Sequence, residues 1–213
     1  MERILEAHNG KDLTYVAQVI CYVTKQSSVK TVTKTWIERL QKTFSDVQKN
    51  IETADNKQIS LQTHLNRILK VVVVPNLPKN ALVEWQVVAI DKPIIRTSIF
   101  DERSDDENLI LSIDESGHIF FVGCTQHANW ENKWEEERQA VNKFFMQNFG
   151  NALPSKGHMQ VFGKNFFINS DQQKLGKLSL PCNEKYIDIL PIIVPVMSFA
   201  SDKTSYIVNG ILY

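Results

Sequence analysis

Apolar positions change period several times along this chain, and each change marks an element. Tyr15 to Thr24 (YVAQVICYVT) alternates and is rich in β-branched residues, the pattern of a strand. From Val29 to Ile51, Val32, Trp36, Leu40, Phe44 and Val47 recur at helical spacing, with Lys and Gln on the outer face. Polar residues from Glu52 to Thr63 predict a loop. Leu65 to Val74 predicts a second strand, whose run of valines implies cover on both faces. Pro75 to Asn80 reads as a turn and Ala81 to Ile90 as a third strand. Ahead of these, Met1 to His8 has helical spacing and ends on Asn9-Gly10, a stop signal. Two turns are too short to stand alone, so the segment is expected to be the end of a longer helix and the chain a fragment of a larger protein.

The second half repeats the order loosely. Pro93 to Asn108 reads as a linker, acidic between Asp101 and Glu107. Leu109 to Ile113 and His118 to Cys124 are short strands joined by Asp114-Glu115-Ser116-Gly117, a hairpin signal. Trp130 to Phe149 predicts a second helix, stopped by Gly150 to Pro154. A strand is expected from Met159, and Ile187 to Phe199 with Ser205 to Leu212 would form a final pair. Pro191 and Pro195 make the first of these an edge or bulged strand. The expected class is α+β, with mixed sheets covered on one face by helices. Residues 1–95 and 109–213 would be its two units, joined by an acidic linker at 96–108.

Charge removes several functions from consideration. Among 213 residues, 24 basic and 24 acidic side chains cancel. No broad positive field is left to attract nucleic acid or an anionic membrane. No apolar run is long enough to cross a bilayer, and no secretory leader pattern opens the chain. Three cysteines without CxxC spacing make a disulfide framework a poor expectation and a reducing, cytoplasmic setting the better one.

Leu77-Pro78-Lys79-Asn80-Ala81-Leu82-Val83-Glu84-Trp85-Gln86-Val87-Val88-Ala89 resembles the closing motif of the RidA family (YjgF/UK114), "LP-x-x-A-L-V-E-I-E-A-x-A". ILEAHNGKDLTYVAQVICYVT is similar to that family's helix end, turn and following strand. The resemblance implies a small chorismate-mutase-like α+β unit, usually trimeric, with ligand clefts between neighbours. Residues 1–95 would supply only its later part, lacking the opening strands. GHIFFVGCTQ, WEEERQAVNKFF and IIVPVMSF…YIVNGILY resemble a second, degenerate unit. The variant ALVEW and the extended C-terminal region look most like the RidA-type tail of the eukaryotic, fungal-type diphthine–ammonia ligase family. That family amidates diphthine on elongation factor 2 with ATP. The resemblance thus implies ATP for a ligase domain elsewhere in the polypeptide and no cofactor in this chain. No SGGKD-like or GxxxxGK[ST] phosphate loop occurs here. Implied partners are that ligase domain and elongation factor 2. A homo-oligomer, or pairing of the two units within one chain, is expected because a unit without its first strands leaves an open edge.

Imine-hydrolysing members of the family hold the substrate carboxylate with an Arg fork and position water with a Glu. Glu84 matches the first acidic position of the motif; the second is Gln86, which cannot take a proton. The family's spacing puts the Arg at Leu69, and Arg67 stands two residues away. Arg67 and Glu84 are therefore the candidate catalytic pair, weighed against a strand-end Arg and a structural Glu; the structural reading is favoured. Neither Ile192 to Phe199 nor Tyr206 to Tyr213 contains Arg or Glu, so the second unit looks catalytically empty.

Other groups read as architecture. His118, Cys124 and His127 have no standard zinc spacing and would need His158 or Cys182 as a fourth ligand, so no metal is expected. Glu135, Glu136 and Glu137 point in different directions around a helix. Trp36, Trp85, Trp130, Trp134, Phe144, Phe145 and Phe149 read as core. Ser179 and Ser198 have no His/Asp accompaniment.

Overall fold

The computed structural model describes residues 15–47, 68–91, 94–104, 107–125, 143, 146–150, 154, 156–164, 181–182, 185–186, 188–200, 204 and 206–213. Strand β1 (Val16–Val23) leads into helix α1 (Ser28–Val47) and then β2 (Leu69–Val73). A single 3-10 turn at Pro78–Asn80 precedes β3 (Val83–Ala89). Next come β4 (Ile94–Ser104), β5 (Glu107–Asp114), β6 (Ile119–Thr125) and β7 (Lys156–Lys164). The chain closes with the short β8 (Pro181–Cys182) and β9 (Lys185–Tyr186), then β10 (Asp188–Val196), β11 (Ser198–Phe199) and β12 (Tyr206–Leu212). The class is α+β.

Two mixed sheets carry the architecture, ordered β11-β2-β1-β3 and β10-β7-β12-β6-β5-β4. Their strand senses repeat. β1 pairs parallel with β2 and antiparallel with β3, while β7 pairs parallel with β10 and antiparallel with β12. Parallel neighbours need a crossover. Helix α1 provides the first and lies on the outer face of the first sheet. There Val29 and Val32 meet Cys21, Val23, Val71 and Val73. The opposite face packs on the second sheet: Val16, Ile20 and Val72 join Ile110, Val122, Cys124, Phe162 and Ile207 in one core. Burial on both faces explains the valine run of β2.

A strap ties the sheets at one end. After β10 leaves the second sheet, the Met197 N–H donates to the Val73 carbonyl at 2.9 Å and β11 pairs with β2. Gln26, after β1, donates to the Phe199 carbonyl at 3.0 Å and accepts from the Ser198 hydroxyl at 2.8 Å. At the hairpin between β5 and β6, Asp114 accepts from the backbone N–H groups of Ser116 (2.8 Å) and His118 (3.0 Å), so its carboxylate closes the turn.

Two expectations need correction. Residues 96–108 are not a linker: Ile94–Ser104 is a strand paired antiparallel with β5. The β-branched and aromatic positions of Ile94-Ile95-Arg96-Thr97-Ser98-Ile99-Phe100 outweigh the acidic run that follows them in sequence. The stretch drawn as the joint between units thus contains a strand of the second sheet. Nor do the last two long strands pair with each other; β7 lies between β10 and β12, and β10 is an edge as its prolines require. The segments before Tyr15, from 48 to 67 and from 126 to 142 lie outside the described residues, as does most of the expected second helix.

Candidate functional site

Between the sheets lies a layer of polar side chains. Paired strand residues share a face and successive ones alternate, so Gln18, Ile20 and Tyr22 of β1 look toward the second sheet. Gln18, 4% exposed, donates its amide to the Phe121 carbonyl at 2.8 Å and to the Gly210 carbonyl. One side chain of the first sheet thereby grips two adjacent strands of the second. A buried amide costs free energy unless bonded, and here both acceptors are backbone.

Further along the same face, the Tyr22 hydroxyl donates to Gln86 Oε1 at 2.5 Å. Gln86 Nε2 in turn donates to Gln160 Oε1 on β7 at 3.2 Å. Tyr22 also sets its ring edge-on to Phe162, centroids 6.0 Å apart. Beside this relay opens a cleft of about 400 Å³, lined by Tyr22, Val74, Asn76, Leu77, Glu84, Trp85 and Gln86. The turn after β2 supplies its Asn76 and Leu77 wall. That turn closes through Lys79 and Asn80, both left-handed with φ of 55° and 56°, before the Ala81 N–H returns to the Pro78 carbonyl at 3.1 Å.

Burial, and after it the charge of Glu84, pushes the Tyr22 phenol up to about 12 from its ordinary 10; burial raises the Cys21 thiol from 9 to about 12. The fold favours the neutral form of both acids. An unfolded chain releases these protons from about pH 9 to 10, whereas the folded chain keeps them until about pH 12. Their contribution is therefore complete below the unfolded values and is lost as pH rises through that window. Urea midpoints should fall between pH 8 and pH 11, and less steeply in Tyr22→Phe.

Glu84 stands at the cleft, exposed, on the face shared with Tyr22 and Gln86. Leu69, where the motif spacing calls for a guanidinium, pairs with Val19, three residues from the Tyr22 that pairs with Glu84. Positions 69 and 84 thus lie on opposite faces of the sheet. Leu69 packs with the valines under α1. Arg67 lies outside the described residues. No lysine or arginine is among the described residues that line the cleft.

One ionisable residue of this layer escaped the sequence reading. Lys70 is 7% exposed, faces the second sheet and brings Nζ to 4.0 Å from Cys124 Sγ. Its signal was a single lysine inside ILKVVVV. Strand β1 separates it from Glu84 and it does not border the cleft. His118 and Cys124 sit at opposite ends of β6, about 20 Å of extended chain apart, and cannot share an ion. His118 Nδ1 instead pairs with Asp114 Oδ2 at 3.0 Å. His127, Cys182 as a fourth ligand to it, and Glu135 to Glu137 have no described side-chain surroundings.

Chemically, the cleft offers a carboxylate, a phenol and side-chain amides, and its phenol and Gln86 are already bonded to each other. A carboxylate ligand would meet Glu84 with no described cation in the lining to offset it.

Comparison with protein-family models gives no match, and comparison with curated proteins gives none either. Among solved structures, the chain is similar to a candidate translation initiation inhibitor from Salmonella typhimurium at 8% identity and a TM-score of 0.30, over 55% of this chain and 97% of that one. A likeness at that level carries no argument about fold or function. No described helix is long and apolar enough to cross a membrane.

Proposed function

We propose that this chain is an accessory, non-catalytic region built from two RidA-like units, belonging to a cytoplasmic diphthine–ammonia ligase and serving assembly or substrate positioning. The repeated strand order, β2-β1-β3 and β10-β7-β12 with matching senses, supports two units of one kind. Among the described residues, the first shows no counterparts of β4, β5 and β6. The observation that carries the non-catalytic reading is the Tyr22–Gln86–Gln160 relay. At the motif's second acidic position stands an amide, and that amide is committed to a bridge between sheets. In this reading ATP belongs to the ligase domain, and elongation factor 2 is the protein presented to it.

The second reading is a divergent 2-imino acid deaminase using Arg67 and Glu84, favoured by the position of Glu84 beside an open cleft. An assay separates the two. Purified chain added to an enzymatically generated 2-imino acid is expected to leave the rate of ammonia release at its spontaneous value. A clear acceleration that disappears in Glu84→Ala would overturn the accessory reading in favour of the deaminase.

A further inference from the structure

The relay between the sheets also fixes what the cleft beside it has left to bond with. The Tyr22 hydroxyl gives its proton to Gln86 Oε1, and the Gln86 amide gives one of its N–H groups to Gln160 Oε1. The phenol oxygen is left with acceptor capacity alone, and Gln86 Oε1 keeps a second lone pair. Burial and the Glu84 charge hold the phenol neutral to about pH 12, so it stays an acceptor that carries its own proton. The influence of Glu84 on that phenol also puts the carboxylate within electrostatic reach of it.

Glu84 is the formal charge among the described residues that line the cleft. It pairs with Tyr22 across the β1–β3 ladder, so acid and phenol share a face. Among the described residues its carboxylate has no hydrogen-bond or ion-pair partner. Asn76 adds an amide that can present its carbonyl, and the half-buried Val74 and Leu77 form an aliphatic wall. A carboxylate, neutral oxygens with lone pairs to spare and an aliphatic wall together complement a cation that is rich in N–H groups and carried on an alkyl stem. The volume, about 400 Å³, is that of a small-molecule site.

We propose that this cleft seats a primary alkylammonium group, as carried by a lysine side chain or a free alkylamine, with Glu84 as its counter-ion. The Tyr22 and Gln86 oxygens are further acceptors for its N–H groups, and the alkyl stem lies on Val74 and Leu77. The inference rests on the substrate-positioning reading above and gives it a ligand chemistry. Amine binding and imine hydrolysis are measured apart, so either can fail without the other.

Nuclear magnetic resonance titrations of the full chain with n-butylammonium, n-butanol and butyrate at one ionic strength test it. The expected result is saturable shifts of the Tyr22, Glu84 and Gln86 resonances with the ammonium, and none with the alcohol or the carboxylate over the same range. Glu84→Gln keeps the shape of an exposed side chain and removes its charge. It should weaken the ammonium about tenfold or more while the rest of the spectrum stays in place. A further titration with lysine capped at both ends distinguishes the sources: saturation marks a protein side chain, and saturation by the free amine alone marks a small molecule. Absence of saturable shifts with both ammonium probes would overturn the proposal. So would butyrate or butanol binding as tightly as the amine, or an unchanged affinity in folded Glu84→Gln.

Discussion

Gly210→Ala is expected to cost about 3 kcal/mol or more, a large share of the stability of an ordinary domain. Gly210 lies within β12, opposite Phe121 of β6 and Met159 of β7. A methyl group built there collides with the Phe121 ring and with the His158 carbonyl oxygen. The ring could turn aside, but the carbonyl belongs to the neighbouring strand's backbone, so relief requires β12 and β7 to separate. The Gly210 carbonyl also accepts from Gln18, so a shift of β12 strains the grip of the first sheet on the second. Urea unfolding should show a lower midpoint, and the thermal midpoint should drop by about 10 °C. A variant within about 1 kcal/mol of wild type would mean that the sheets are less tightly fitted than this packing implies.

Trp36→Ala should cost about 3 to 5 kcal/mol. Trp36 is 3% exposed and stacks on Trp85 with centroids 6.0 Å apart and ring planes 28° from parallel. It fastens α1 to β3, the strand that holds Glu84 and Gln86. Deleting it leaves a cavity between helix and sheet and removes a stacked pair worth about 0.5 to 1.5 kcal/mol beyond its area. Near-ultraviolet circular dichroism should lose the signal of the coupled indoles along with the stability. Unchanged stability would place α1 as a passenger and not as the cover of the first sheet.

How much of this was legible depended on how local the cause was. The spacing of Val32, Trp36 and Leu40 fixes α1 because a helix needs one apolar stripe, and that stripe is in the sequence. The alternation of β1 and the Asp114–Gly117 turn are local in the same way. Residues 96–108 misled because their charges are conspicuous, while the β-branched residues before them, which decide pairing, are not. Consecutive order makes the final strands look like neighbours, although β7 intervenes through a parallel pairing that no local pattern announces. For the site, a motif pointed to Glu84. What Gln86 does could not be read, since its partner Gln160 lies 74 residues away and meets it only when two sheets pack. Lys70 was visible as a lone cation among valines, yet whether it faced the helix or the second sheet depended on the register of β2 against β1.

A double-mutant cycle on Gln86 and Gln160 tests the central claim most directly, that this face now joins two sheets instead of processing a substrate. With Gln86→Ala, Gln160→Ala and the double variant, the stability losses should fall short of additivity by about 0.5 to 3 kcal/mol, the mark of side chains that bond each other. Losses that add within about 0.3 kcal/mol, accompanied by imine hydrolysis in wild type that Glu84→Ala abolishes, would contradict it.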